Sequence, residues 1–167
     1  MMSARHPIEI ADFGTSMVAS SEAETEALGK KIATGLAPGD LVLLDGQLGA
    51  GKSVFCRSAV RTLMQTPDLQ VASPSYTVVN VYSAPTFDIW HVDLYRLGDP
   101  EELLELGIED AAQSTVMLVE WGQRWQSPPA RRLEIGIAIK EPNARQITFH
   151  AHGGDWRAVA LAMDCGT

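Results

Sequence analysis

Between Leu43 and Phe55 the chain reads LLDGQLGAGKSVF, and three of its 14 glycines, Gly46, Gly49 and Gly51, stand directly before Lys52 and Ser53. Residue types in this order suit one task, holding several negative oxygens against bare backbone. Glycine reaches backbone angles closed to other residues and leaves room for main-chain N–H groups to approach a ligand. Those N–H groups, with the positive end of a following helix, form a nest for anions. The stretch Gly46-Gln47-Leu48-Gly49-Ala50-Gly51-Lys52-Ser53 satisfies every fixed position of G-x-x-x-x-G-K-[ST]. In that arrangement Lys52 is placed to reach β- and γ-phosphates and the Ser53 hydroxyl to ligate Mg²⁺. A glycine-rich strand-to-helix turn that happens to end in Lys-Ser is the competing explanation. The flanks argue against it, with a buried strand expected before the loop and a helix after it.

Phosphate chemistry of this kind needs an acid at the end of a buried strand to hold the Mg²⁺ shell. Two are available: Asp93 ends IWHVD and Glu120 ends VMLVE. On a strand, His91, Asp93 and Tyr95 share one face. Both acids are assigned to the site; which touches the metal shell and which orients water stays open at this level. The segment SPSYT lies where a γ-phosphate-sensing loop would lie, with Ser73, Ser75, Tyr76 and Thr77 as its residues and Pro74 stiffening the approach. Its local chemistry suits an ordinary Ser/Pro turn equally well. Trp121 follows Glu120 and either packs over the site or fills the core. His91 reads as a packed strand histidine, His150 and His152 as exposed strand histidines, and Trp90, Trp125 and Trp156 as structural.

These side chains need elements to position them. LVLLD is a short apolar run bounded by turns, as in a strand buried on both faces. Phe55, Ala59 and Leu63 beside Cys56, Val60 and Met64 make a broad apolar stripe at helical spacing. Upstream, IEIADF alternates like a strand. SSEAETEALGKKIATGL reads as a helix capped by Ser20 or Ser21, with Leu28, Ile32 and Leu36 on one face. YTVVNVY and FDIWHVDLY read as strands. DPEELLELG is a short helix with Asp99 as N-cap, Pro100 at its first position and Gly107 as its stop. TVMLVEW is another buried strand, RRLEIGIAI and RQITFHAH alternate as an antiparallel pair near one edge, and GDWRAVALAM closes the chain as a helix. The expected fold is α/β, a single-domain, P-loop NTPase-like three-layer sandwich over residues 1–167, with a mixed, mostly parallel sheet.

Bulk composition narrows the classes. A chain of 167 residues can bury a substantial core, and 46% hydrophobic with 20% charged residues is ordinary for a globular protein. A formal net charge of -8 makes it a poor duplex binder on its own, because that affinity comes mostly from Lys and Arg. No apolar run approaches the roughly 18–20 residues of a membrane span. The opening residues lack the apolar core of a secretory signal. Two cysteines, Cys56 and Cys165, give no disulfide framework and no zinc spacing. A cytoplasmic location is the expectation.

Taken in order, GQLGAGKS, SPSYTVV, HVDLYRLGDPEELLELGIED and LVEWGQRW resemble the bacterial TsaE (YjeE) family. The resemblance runs from about Ile8 to the last strands. It implies a weak Mg²⁺-dependent ATPase of tRNA N6-threonylcarbamoyladenosine modification, coupled to a transferase made of TsaB and TsaD, with tRNA handled mainly through these partners. ATP would lie on Gly46, Leu48, Gly49, Ala50, Gly51, Lys52 and Ser53. The resemblance also implies Asp93 and Glu120 as the essential acids, Glu120 near Mg²⁺, a switch loop over Ser73–Thr77, and Thr25 on the adenine side. The chain departs from the family pattern at Ser53, Val54, Ser75 and Asn80, where Thr, a hydroxyl residue, Thr and Glu are usual. Two other classes compete: a small-molecule P-loop kinase, for which no arginine-dense lid insertion is present, and a nucleotide-gated binding protein without meaningful catalysis.

Overall fold

Uninterrupted apolar runs decide the centre of this molecule. A computed structural model describes residues 12–164. In chain order the elements are β1 (Asp12–Ala19), α1 (Glu22–Thr34), β2 (Leu41–Asp45), α2 (Lys52–Leu63), β3 (Val79–Ser83) and β4 (Asp88–Asp93). There follow α3 (Pro100–Glu105), α4 (Ile108–Ala112), β5 (Val116–Glu120), a 3-10 turn (Gly122–Arg124), β6 (Arg132–Glu141), β7 (Ala144–His152) and α5 (Arg157–Asp164).

All seven strands form one sheet in the order β1-β7-β6-β2-β5-β4-β3. Side chains of β2 and β5 alternate between its faces. Val42, Leu44, Val116 and Leu118 join a cluster with Ile32 of α1, Phe55 and Ala59 of α2 and Val159 of α5. Leu41, Leu43, Met117 and Val119 join a second cluster with Leu103 of α3 and Ile108 and Ala112 of α4. Helices therefore cover both faces, which makes the expected three layers. No described helix is long and apolar enough to cross a membrane.

The sheet is mixed, but it is not mostly parallel. β6–β2, β2–β5 and β5–β4 are parallel, whereas β1–β7, β7–β6 and β4–β3 are antiparallel. The reason lies in the connections. A parallel pair needs a crossover, usually helical, while β6 and β7 are joined by a two-residue turn at Pro142 and Asn143 and β3 and β4 by Ala84–Phe87. Parallel pairing is thus confined to the middle of the sheet, where β2, β5 and β4 all end on the same side. The register sets Glu120 beside Leu44 on one flank and beside Asp93 on the other.

Other expectations are sharpened. The strand expected over IEIADF lies mostly outside the described residues, and β1 runs on to Ala19. Ser21, not Ser20, caps α1, its hydroxyl accepting the Glu24 N–H at 3.2 Å. β3 begins only at Val79, because Val78 turns to φ 67°, a left-handed angle that a β-branched residue adopts only under strain. Gly107 ends α3 as expected, with φ 67°, but the chain restarts at once as α4. β6 and β7 pair antiparallel, and β1 rather than β7 forms the outer edge.

Candidate functional site

β2 delivers the chain to the polar end of the sheet and α2 carries it away, leaving Gly46–Gly51 as the turn between them. Gly46, Gly49 and Gly51 have φ of 157°, 79° and 116°. A side chain at Gly46 would run into the Ile137 carbonyl, so that position needs glycine for room. At Gly49 nothing lies within 4 Å of an added Cβ, and at Gly51 only Thr25 Cγ2 does, at 3.6 Å. Those two need glycine for their angles. Gly51 caps α2 with no side chain bonded to the first amides. The loop therefore presents bare N–H groups and a helix N-terminus together, which is the nest the spacing predicts.

Lys52 is buried at 5% exposure. Its Nζ donates to the carbonyls of Gly46 (2.5 Å) and Gln47 (3.0 Å) and lies 4.0 Å from the centroid of the Trp121 ring. Burial pulls its pKa below the ordinary lysine value, against the opposing pull of Glu120, Asp93 and Asp45. Trp121 reaches this place by leaving the strand at φ 60°, and its ring leans on Tyr95 with centroids 4.9 Å apart.

Ser53 Oγ donates to Glu120 Oε1 at 2.7 Å. The other oxygen of the same carboxylate, Oε2, lies 2.8 Å from His91 Nε2. Glu120 and His91 are 2% and 1% exposed. Asp93, next to Glu120 in register, accepts the Tyr95 N–H at 2.9 Å. Burial raises its pKa above the ordinary carboxylate value and the Glu120 charge adds to this, although the Tyr95 bond opposes it. Cys56 lies behind the acids, its sulfur within 4.8 Å of a ligand atom of both His91 and Glu120. Burial pushes its thiol well above the ordinary value, so it packs as a neutral group.

Lys52, Ser53, Ser75, Asp93, Glu120 and Trp121 all line one cleft of about 250 Å³, with Leu48, Gly49 and Gly51 at its rim. On the other side of the loop a hollow of about 130 Å³ is lined by Thr25 and Glu22 of α1, Ala50, Val54, Asn143 and Arg145. Thr25 is buried and flanks the loop, so α1 contributes to the wall of this second hollow. Of the SPSYT residues only Ser75 faces the cleft, its Oγ 2.8 Å from that of Ser73. Thr77 Oγ1 donates instead to Asn80 Oδ1 at 2.8 Å, and Tyr76 is exposed under the Arg96 guanidinium, 4.3 Å away.

Three contributors escape sequence reasoning. His91 reads as packing, yet it bonds Glu120; its one signal is that it shares a strand face with Asp93. Arg145 of β7 donates through Nε to Ala50 O at 2.9 Å and through Nη2 to Gly49 O at 3.4 Å, clasping the loop from outside. Asp45 accepts the Gln123 N–H at 2.7 Å and ties the end of β2 to the turn after Trp121. Neither of these has a local signal. His150 and His152 take no part, and Glu134 pairs with His152 at 3.2 Å.

The donors facing the cleft fit the groups the motif implies. Main-chain N–H groups and a buried lysine suit phosphate oxygens, and a hydroxyl beside two carboxylates is the all-oxygen set a hard cation such as Mg²⁺ takes. A strand, a glycine loop, a helix and acids at the ends of two neighbouring strands define the class as P-loop nucleotide-binding proteins.

Comparison with known proteins narrows this class. The family described as "Threonylcarbamoyl adenosine biosynthesis protein TsaE" matches residues 19–147. The chain belongs to the TsaE family. It is 40% identical over 129 residues to the tRNA threonylcarbamoyladenosine biosynthesis protein TsaE of Rickettsia bellii, covering 77% of this chain and 89% of that one. To the Bacillus subtilis protein of the same name it is 36% identical over 132 residues, covering 78% and 83%. The crystal structure of Bacillus subtilis YdiB superposes with a TM-score of 0.73 at 27% identity, covering 92% of this chain and 95% of that one.

Proposed function

We propose that this protein is the ATP-binding and hydrolysing component of tRNA N6-threonylcarbamoyladenosine biosynthesis, a weak Mg²⁺-dependent ATPase that works with the TsaB–TsaD transferase. Family membership supports the pathway. The single observation that carries the chemistry is the bond from Ser53 Oγ to Glu120 Oε1 at 2.7 Å, beside Lys52 and one strand from Asp93.

That geometry supports the following roles. The loop from Gly46 to Gly51 offers its N–H groups to the phosphates, and Lys52 exchanges its two loop carbonyls for phosphate oxygens. Ser53 and Glu120 would hold the metal shell. Mg²⁺, when bound, offsets charge on the β- and γ-oxygens. Asp93 lines the same cleft one strand from Glu120 and holds no bond to Ser53, which leaves its carboxylate to orient the attacking water. Thr25 and Asn143 wall the hollow on the nucleoside side of the loop. Ser75 reports the γ-phosphate to the SPSYT loop, whose exposed Tyr76 passes the change to the transferase. An acidic chain leaves tRNA mainly to the partners.

The test is ATP turnover with and without the TsaB–TsaD pair. Lys52→Ala and Glu120→Ala are each expected to abolish stimulated turnover. Stimulated turnover that survives either change rules the assignment out.

A further inference from the structure

We propose that His91 is a positioning residue: it pins one oxygen of Glu120 so that the other is held toward Ser53 and the cleft. This rests on the reading of Glu120 as the metal-shell acid.

A glutamate at a strand end has three free side-chain torsions, and a single bond to Ser53 would leave its second oxygen free to rotate. Here each oxygen has its own partner, Ser53 for Oε1 and His91 for Oε2. Nε2 is the ring nitrogen that faces Oε2, and with the ring proton there His91 donates to the carboxylate. The remaining ring nitrogen, Nδ1, is buried and has no hydrogen-bond partner among the described residues. Leu118, fully buried, stands opposite His91 in register on β5. Leaving a polar atom unpaired in a core is costly. The ring is kept there for the one bond it makes, and that bond orients an acid that itself faces the ligand. Imidazole is rigid and reaches across from the neighbouring strand, so the position of Glu120 is tied to β4. The same strand face carries Asp93 two residues on, and one register therefore aligns both acids.

The experiment compares three variants in ATP hydrolysis as a function of Mg²⁺, with nucleotide affinity measured separately in the presence of a chelator. A Gln side chain can bring its amide N–H to the place of Nε2; Asn reaches only the place of Nδ1; Phe fills the volume and donates nothing. His91→Phe and His91→Asn are expected to raise the half-saturating Mg²⁺ concentration and lower kcat, each by about tenfold or more. Metal-free nucleotide affinity stays within about twofold of the parent, because the loop is untouched. His91→Gln is expected to recover most of both losses. Equal losses in Gln and Phe, or losses that appear in metal-free affinity and not in Mg²⁺ dependence, overturn the proposal. Should His91→Phe fail to fold, the Gln–Asn comparison decides alone. Glu120→Gln separates the two levels: if it leaves Mg²⁺-dependent hydrolysis intact, the site assignment fails. If it abolishes hydrolysis while every His91 variant behaves as the parent, only the pin fails.

Discussion

Burial penalises the charged form of Asp93. Glu120 is met by two side-chain donors, whereas Asp93 has one backbone N–H and sits beside the Glu120 charge with 6% exposure. Its folded-state pKa therefore lies above its ordinary value of 3.8, so the native state holds that proton more tightly than the unfolded chain does. As pH rises through the interval between the two values, the unfolded chain ionises first and stability is lost; above it the full penalty applies. Asp93→Asn keeps an oxygen for the Tyr95 N–H and removes the charge. A higher Tm is expected at pH 7, the gain shrinking to nothing below about pH 3.8. Hydrolysis should fall about 100-fold or more if this carboxylate positions the water. Thermal unfolding at neutral and acid pH together with phosphate release checks both halves, and a lower Tm at pH 7 contradicts the reading. Lys52, Ser53 and the two acids were legible in the sequence because their signals are local: an octapeptide, and an acid ending an apolar run. His91 was not, since its bond to Glu120 exists only once β4 lies beside β5.

Helix α1 lies so close on α2 that only glycine fits at position 29. A Cβ there would press on the Ser58 hydroxyl and come within 2.7 Å of the Phe55 carbonyl. The hydroxyl can rotate, but the carbonyl belongs to the helix that starts at Lys52. Gly29→Ala improves helix propensity by about 1 kcal/mol and overpacks the interface by about 1–3 kcal/mol, so a net loss is expected. Because α2 must shift to relieve the contact, nucleotide affinity should fall with stability; chemical denaturation and nucleotide titration of the same variant show whether the two move together. On the opposite flank Arg145 holds the Ala50 and Gly49 carbonyls from β7. Arg145→Ala is expected to loosen the loop and weaken nucleotide binding about tenfold, as loss of a supporting shell does, with the sheet intact. Unchanged affinity in calorimetry would show that the loop holds its shape without the clasp. Sequence patterns reached the elements better than their arrangement. Apolar runs marked β2 and β5, and Asp99, Pro100 and Gly107 marked α3. The share of parallel pairing, the edge position of β1 and the reach of Arg145 depend on which strands meet, and no window of residues encodes that. α4 was hidden because Gly107, which ends one helix, also opens the next.

Across the whole molecule, the nucleotide loop is surrounded by parts of the chain that are far apart in sequence. Thr25 comes from α1, Lys52 and Ser53 from α2, Asp93 from β4, Glu120 from β5 and Arg145 from β7. None of these neighbours exists in the unfolded chain, so a ligand bound among them stabilises the native state alone. The two apolar clusters of the core beneath sit on opposite faces of the sheet and share its strands β2, β4 and β5. At a ligand concentration about 100 times Kd, mass action adds about 2.7 kcal/mol, which for a chain of this length is about 5–11 °C in Tm. Mg²⁺ with ATP is therefore expected to raise Tm by that amount, and ATP with a chelator by less, since Ser53 and Glu120 then have no cation to hold. Lys52→Ala should erase the increment, because the loop then has no cation to offer the phosphates. Thermal shift across a series of nucleotide concentrations separates these cases. A Tm independent of Mg²⁺ and ATP up to millimolar levels would mean that the amides of this loop do not close on a nucleotide.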